Sequence, residues 1–399
     1  MAFPVLWLSS LMEGAPMLSA GTDYANQTPA AGDAIAYFKQ LLISGFGTRV
    51  VQSAAYNSTD STITFTFLET HKYLKHSVIE VSGAADAAFN GKFRIKATAT
   101  YTVTVGLDNG TPASASTTGT ITIKYPGLGW TIAFEDAATF RIIFKRADPT
   151  ATGVMLLIDN SAWTGWTQNG GSLMKVMLVE DVVDINTYSL IAERRWPASH
   201  SYSKRGWEFF ADAKMIYWLP QYGNTSRRSV YAYGDIITVR PGDNYHTILT
   251  HYSSNTVINA GSDSWTQGWN YVNNNFPLFN NGEHRLIARS YHQLVGAVAF
   301  SLKSWQGSFG EGLSFPNPAD NGFYVSKDPI PVFDDLSLRG YMPGLMSPYA
   351  SPGAYDCTNL ANLPAIPNKI IRLVGTTRNA SSSDPGFRLF GFDIVGPWR

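Results

Sequence analysis

Few side chains in this chain have the type and spacing that chemistry needs. Two carboxylate pairs stand close together, Asp181 with Asp184 and Asp334 with Asp335. Glycoside hydrolysis needs two carboxylates facing one bond. Here Val182-Val183 interrupt the first pair, and Pro329-Ile330-Pro331-Val332-Phe333 precede the second, so both read as surface turns flanking strands. The histidines are His71, His76, His200, His246, His251, His284 and His292. His246 and His251 bracket the strand-like Thr247-Ile248-Leu249-Thr250, which places them on opposite faces and unsuits them to one metal. The sequence has no HExxH zinc motif, no G-x-S-x-G nucleophile elbow and no phosphate-binding glycine loop. Cys357 is the single cysteine, which excludes an intrachain disulfide and a cysteine-based zinc site. The expectation is a protein that is not an enzyme, with no cofactor and no metal.

Two other groups of residues suit contact. Between about 251 and 330 the chain is rich in Asn, Gly and Ser, and Trp265, Trp269, Tyr271 and Phe276 sit among Asn270, Asn273, Asn274 and Asn275. Rings beside amides suit sugar stacking and hydrogen bonding, so these four are candidates for a partner or glycan face. Near the N-terminus, Val5, Leu6, Trp7 and Leu8 form an apolar run ahead of Gly14, Pro16 and Gly21. Terminal arms stay poorly ordered unless something ties them down. The run is therefore a candidate arm for docking on a neighbouring subunit.

Composition narrows the partners. The chain has 30 basic and 30 acidic residues, and its formal charge is zero. Nucleic-acid binding leaves a basic excess or patch. Arg194-Arg195, Arg227-Arg228 and Lys145-Arg146 are isolated pairs, so nucleic acid is not an expected partner. Aromatic residues make up 13% of the chain, and protein interfaces are enriched in such rings. No apolar run is long enough to span a membrane as a helix, and the N-terminal run lacks the basic flank of a signal peptide.

The elements that would position these residues are mostly strands. One helix is predicted first, with Asp33 as N-cap, Ile35, Phe38, Leu41 and Leu42 at helical spacing, and Gly45 and Gly47 as the stop. From Thr48 to Tyr125 the pattern changes to period two, as in Ser61-Thr62-Ile63-Thr64-Phe65-Thr66-Phe67 and Tyr101-Thr102-Val103-Thr104-Val105. Asn90-Gly91 and Asn109-Gly110 mark turns. Such short strands predict a small β-sandwich or barrel. From Gly127 on, further strand-like runs follow, among them Val154–Asp159, Met174–Glu180, Trp207–Asp212 and Tyr231–Val239. The reading is mainly β, in three parts: an N-terminal arm and helix over 1–48, the small module over 49–126, and a larger antiparallel β-sandwich region over 127–399 with a loop-rich insertion near 251–330.

Two resemblances accompany this reading. The order His71…Val78-Ile79-Glu80-Val81-Ser82-Gly83…Phe89-Asn90-Gly91-Lys92-Phe93-Arg94-Ile95…Thr118-Gly119-Thr120-Ile121-Thr122 resembles a small β module of phage virion and tail proteins, with Ile95 where that module has Val. The ordered set "ADPTATGVMLLIDN" (147–160), "ERRWPAS" (193–199), "WEFFADAKMIYW" (207–218), "YAYGDIITVRPGD" (231–243), "LRGYMPGL" (338–345) and the final "GPWR" (396–399) is similar to a family of virion structural proteins of tailed phages often placed among tail genes. The resemblance implies a tail-, baseplate- or neck-associated virion component. It would be assembled in the host cytoplasm, with copies of itself and other virion proteins as partners. A receptor- or glycan-binding tail appendage that meets a host surface glycan and a capsid decoration protein are the alternatives.

Overall fold

The computed structural model describes residues 5–18, 31–107, 110–161, 173–198, 206–222, 227–228, 230–250, 285–293, 296–302, 313–334, 337–376 and 387–399. It is mainly β, with several antiparallel sheets and one α-helix among the described residues. Strand β1 (Leu6–Ser9) comes first, then helix α1 (Asp33–Lys39), which runs on as a π-helical turn to Ser44. Gly32, and not Asp33, takes the N-cap position in a left-handed conformation. Asp33 is the acidic residue of the first turn, and Asn160 accepts the Ala34 amide at 3.1 Å. The cap thus comes from 126 residues away, which no local pattern announces.

Seven strands then form a small closed unit: β2 (Phe46–Val50), β3 (Ser53–Asn57), β4 (Thr62–Thr66), β5 (Val78–Ser82), β6 (Gly91–Ala99), β7 (Thr102–Gly106) and β8 (Thr122–Tyr125). Their order is β2-β8-β5-β6-β7-β4-β3. The two ends of this sheet are one piece of chain. Val51 and Gln52, between β2 and β3, donate to the carbonyls of Ile121 and Thr66 and carry the ladder round the corner. A bulge between Ile95 and Ala97 turns β6 at the opposite corner. Alternate residues such as Ile63, Phe65, Val103 and Val105 are fully buried, as the period-two pattern predicts.

The motif residues of this barrel brace two loops. Asn90 accepts the Ala84 amide and donates to the Ala84 carbonyl, so its side chain pairs as a strand residue would. Gly83 and Gly119 both have positive φ, and a Cβ on Gly119 would lie 2.2 Å from the Gly83 carbonyl oxygen. Only glycine allows that approach. The "FNG" and "TGT" signatures are therefore structural.

The large unit holds the remaining strands. Strands β9 (Thr131–Asp136), β10 (Arg141–Lys145), β11 (Met155–Asp159), β12 (Leu173–Glu180) and β13 (Ser189–Pro197) form an antiparallel meander. Next come β14 (Trp207–Ala211), β15 (Met215–Tyr222), β16 (Arg227–Arg228), β17 (Tyr231–Asp235), β18 (Ile237–Thr238), β19 (Thr247–Thr250), β20 (Arg285–Ile287) and β21 (Val298–Ala299). With β1 at its edge, the main sheet runs β1-β14-β15-β17-β19-β20-β21, and β16 pairs with β15. Strands β22 (Ser301–Leu302), β23 (Pro331–Asp334) and β24 (Ser337–Tyr341) join β18 in a small sheet. Strands β25 (Leu345–Met346), β26 (Thr358–Ala361), β27 (Ile370–Thr376) and β28 (Arg388–Asp393) make the last one.

Both faces of the main sheet are covered. On one, Tyr37 and Phe38 of α1 meet Trp218, with Trp207 against Tyr37 and Trp196 against Phe38. On the other, Phe210 stacks on Phe392 of β28 with ring centroids 4.1 Å apart. Strands buried on both faces read as continuous apolar runs. This explains "WEFFA" and "YAYGD", in which every residue is buried.

Two expectations need correction. The segment 1–48 does not stand apart, because β1 and α1 build the core of the large unit. The barrel is instead inserted into that unit, entering at Gly45 and leaving at Gly127, where a Cβ on Gly45 would lie 2.9 Å from the Gly127 nitrogen. The aromatic residues also have another use. Trp7, Trp130, Trp196, Trp207, Trp218 and Trp398, all the described tryptophans, are buried within the chain, because the double-sided sheet needs large rings to fill it.

Candidate functional site

The candidate docking arm lies inside its own chain. Leu6, Trp7, Leu8 and Ser9 pair with Ala211, Phe210, Phe209 and Glu208 of β14. Val5, Leu6, Trp7 and Leu8 are at most 3% exposed, which leaves them no surface for a neighbour. The correction has a physical reason: an all-apolar strand is stabilised most where a partner strand and two covered faces await it. The other candidates, Trp265, Trp269, Tyr271 and Phe276, lie outside the described residues.

Trp7 nevertheless sits in a buried polar cluster. Its indole N–H donates to Glu208 Oε2 at 2.6 Å, and Arg372 lies over its ring at 4.7 Å. Arg372 of β27 donates to Glu208 Oε1 at 2.8 Å and to the Cys357 carbonyl at 2.6 Å. Beside it, Arg228 of β16 holds both carboxylate oxygens of Asp356 and approaches Cys357 Sγ at 3.1 Å. A half-open cavity of about 450 Å³ opens here, walled by Ser9, Leu11, Trp207, Glu208, Arg228 and Cys357.

The thiol on the cavity wall is not activated. Burial, above all, pushes the Cys357 thiol up to about 11, which outweighs the neighbouring Arg228 charge. A reactive cysteine needs the opposite shift. Glu208 is tied to two donors, and Arg228 is tied to Asp356. The cluster fastens β1, β14, β16 and β27 together by charge-assisted hydrogen bonds.

Two more buried networks repeat this use of charge. Arg146 donates to Asp235 at 2.5 Å, and Thr247 donates to the same carboxylate at 2.7 Å. Burial alone would raise the Asp235 carboxyl, but Arg146, His246 and Thr247 hold it below the usual range. Arg339 grips Asp243 bidentately with two 2.8 Å hydrogen bonds and reaches Asp334 at 2.9 Å. Each network joins separate strands.

Asp184 is exposed and builds a turn, accepting the amides of Asn186 and Thr187; the Asn186 bond, first of all, keeps its carboxyl low, which is wrong for a general acid. Asp334 serves Arg339, and Asp335 lies outside the described residues. His71 bonds the Thr102 carbonyl, and His246 bonds the Asp243 carbonyl and lies 3.9 Å from Asp235. His200, His251 and His284 lie outside the described residues. Among the described residues no three His, Cys, Asp or Glu side chains gather as a metal site, and no helix is long and apolar enough to cross a membrane.

The sequence reading gave no structural or functional role to Arg94, Arg146, Glu208, Asp235, Asp243, Arg339 or Arg372. A signal for several was present: Glu208 in "WEFFA", Arg339 in "LSLRGY" and Arg372 in "IIRLVG" are single charges inside apolar strands. Such a charge must find a partner when it is buried. Comparison with known proteins finds no family model that matches the chain and no matching curated protein.

Proposed function

We propose that the protein is a structural component of a tailed-phage virion, associated with the tail, baseplate or neck and assembling through protein–protein contacts. The observation that carries this reading is the use made of polar chemistry. The buried ionic clusters at Glu208–Arg372, Arg146–Asp235 and Arg339–Asp243 all tie distant segments of the fold to one another, and the cavity beside the first holds a thiol that burial keeps protonated. That is the economy of a scaffold. The phage assignment rests on the ordered motifs from "ADPTATGVMLLIDN" to "GPWR".

The contacts with other subunits would be made by surfaces other than the first strand. The test is electron microscopy of intact particles with an antibody or tag on this chain. Density at the tail, baseplate or neck supports the reading. Density over the capsid lattice makes it a decoration protein. A free monomer that cleaves polysaccharide, found nowhere in particles, overturns it.

A further inference from the structure

The cavity beside Glu208 has a wall of mixed chemistry. The loop after β1 brings Leu11 and Met17, β14 brings Trp207 and Glu208, β15 brings Gln221, and β16 brings Arg228. Its volume of about 450 Å³ lies within the range that holds a small ligand, roughly 300–1,000 Å³. The charges around it cancel, since Glu208 is paired with Arg372 and Arg228 with Asp356. Hydrogen-bonding capacity remains. Glu208 accepts one hydrogen bond on each carboxylate oxygen, and a carboxylate offers about four lone-pair sites. Ser9, opposite Glu208 in the β1–β14 ladder, and Ser10 both line the cavity. Their hydroxyl oxygens accept the amides of Leu11 and Trp207. Among the described residues neither hydroxyl donates in return, although Ser9 is only 1% exposed. A buried donor without an acceptor costs stability, and a ligand that supplies the acceptor removes that cost.

We propose that this cavity binds a neutral saccharide ring. A sugar presents an apolar C–H face and a rim of hydroxyls that each donate and accept. Leu11, which is 68% exposed, and the half-buried Met17 supply apolar surface for the face. Ser9 supplies a donor for the rim, and Glu208 supplies lone pairs. The balanced charge disfavours an ion, which would give up its hydration for no net countercharge. A purely apolar guest would leave the Ser9 hydroxyl and the spare Glu208 lone pairs unmet. The ion pairs gain a second use here. They hold the polar groups in place before a ligand arrives, which lowers the ordering cost of binding. Such binding is independent of where in a particle the chain sits.

The test uses the full chain with isotope-labelled methionine methyls, read by nuclear magnetic resonance, because Met17 lies on the cavity wall. Its signal is assigned by its loss in Met17→Leu. D-glucose, D-galactose, D-mannose and N-acetyl-D-glucosamine are titrated separately, with glycerol as a hydroxylated control that has no ring. The expected result is a saturable shift of the Met17 methyl with at least one sugar, at a Kd in the millimolar range, and none with glycerol. Ser9→Ala removes the donor and should weaken binding about tenfold. Gly206→Val should abolish it, because a Cβ there would lie 2.3 Å from Gln221 Oε1 and 3.3 Å from Ser10 Oγ on the wall. No saturable shift with any of these sugars overturns the proposal. So does glycerol that saturates equally well, or an affinity unchanged in either variant. If near-ultraviolet circular dichroism shows Gly206→Val unfolded, Ser9→Ala decides alone.

Discussion

Replacing Arg339 by Met should be among the most damaging single changes in this protein. The Arg339 and Asp243 side chains are wholly buried, and the guanidinium also donates to Asp334 and to the Arg289 carbonyl at 2.7 Å. Methionine fills much of the volume but leaves Asp243 as an unpaired buried carboxylate. Removing one partner of a buried pair costs about 3–5 kcal/mol, whereas an exposed pair is worth about 1 kcal/mol or less. A loss of that size is a change of about 10² to 10³ or more in the folding equilibrium. The assay is urea unfolding followed by near-ultraviolet circular dichroism. The dependence on pH carries a sign. In the native protein burial alone would raise the Asp243 carboxyl, but the hydrogen bonds and charge of Arg339 hold it below its ordinary value. Its contribution is present above the unfolded carboxyl pKa and is lost as pH falls through the lower folded one. Without Arg339 the buried carboxyl rises instead, so the deficit of the variant should narrow as pH falls towards about 4. Arg339→Met with Asp243→Asn should recover part of the loss. A single-variant loss below about 1 kcal/mol at neutral pH would refute the claim that this ion pair closes a dry site.

Three further outcomes are expected. Deleting 46–126 and joining Gly45 directly to Gly127 should leave a large unit that folds, because those two residues are already adjacent; a product without a cooperative unfolding transition would show that the barrel is needed to complete the core. Phe392→Ala, which removes the ring stacked on Phe210, should cost about 3–5 kcal/mol in denaturant unfolding, and a cost under about 1 kcal/mol would place the last sheet outside the cooperative core. Cys357, with its thiol pushed up to about 11, should react with disulfide reagents at neutral pH far more slowly than an ordinary cysteine; the thiolate fraction there is on the order of 10⁻⁴, and a rate like that of the unfolded chain would contradict the burial.

The fold was legible where a strand has one wet face. In β4 and β7 the alternation of Thr with Ile, Phe and Val marks both strand and buried face. In β14 and β17 the runs are apolar on both sides, so strand character could be read but not the partners above and below. The edges of the barrel were near legible, since the pattern changes close to Phe46 and Tyr125. That the barrel interrupts a larger unit was not, because the decisive pairing joins Leu6–Ser9 to Glu208–Ala211. The same limit hid the ionic ties. Arg372 and Glu208 are 164 residues apart, and neither sequence neighbourhood names the other.

The pairing of β1 with β14 also sets an order of birth. Leu6–Ser9 are made about two hundred residues before the strand they join, as the Trp7–Glu208 separation of 201 shows. At ribosomal rates of roughly 5–20 residues per second, that is a wait of about 10–40 seconds. The barrel, whose strands all lie between Phe46 and Tyr125, is complete well before it ends. During synthesis the protein would therefore carry a finished domain behind a greasy leading strand with nowhere yet to go. A nascent-chain chaperone that binds short apolar segments would find its target in that interval and lose it once Trp207 to Ala211 emerge.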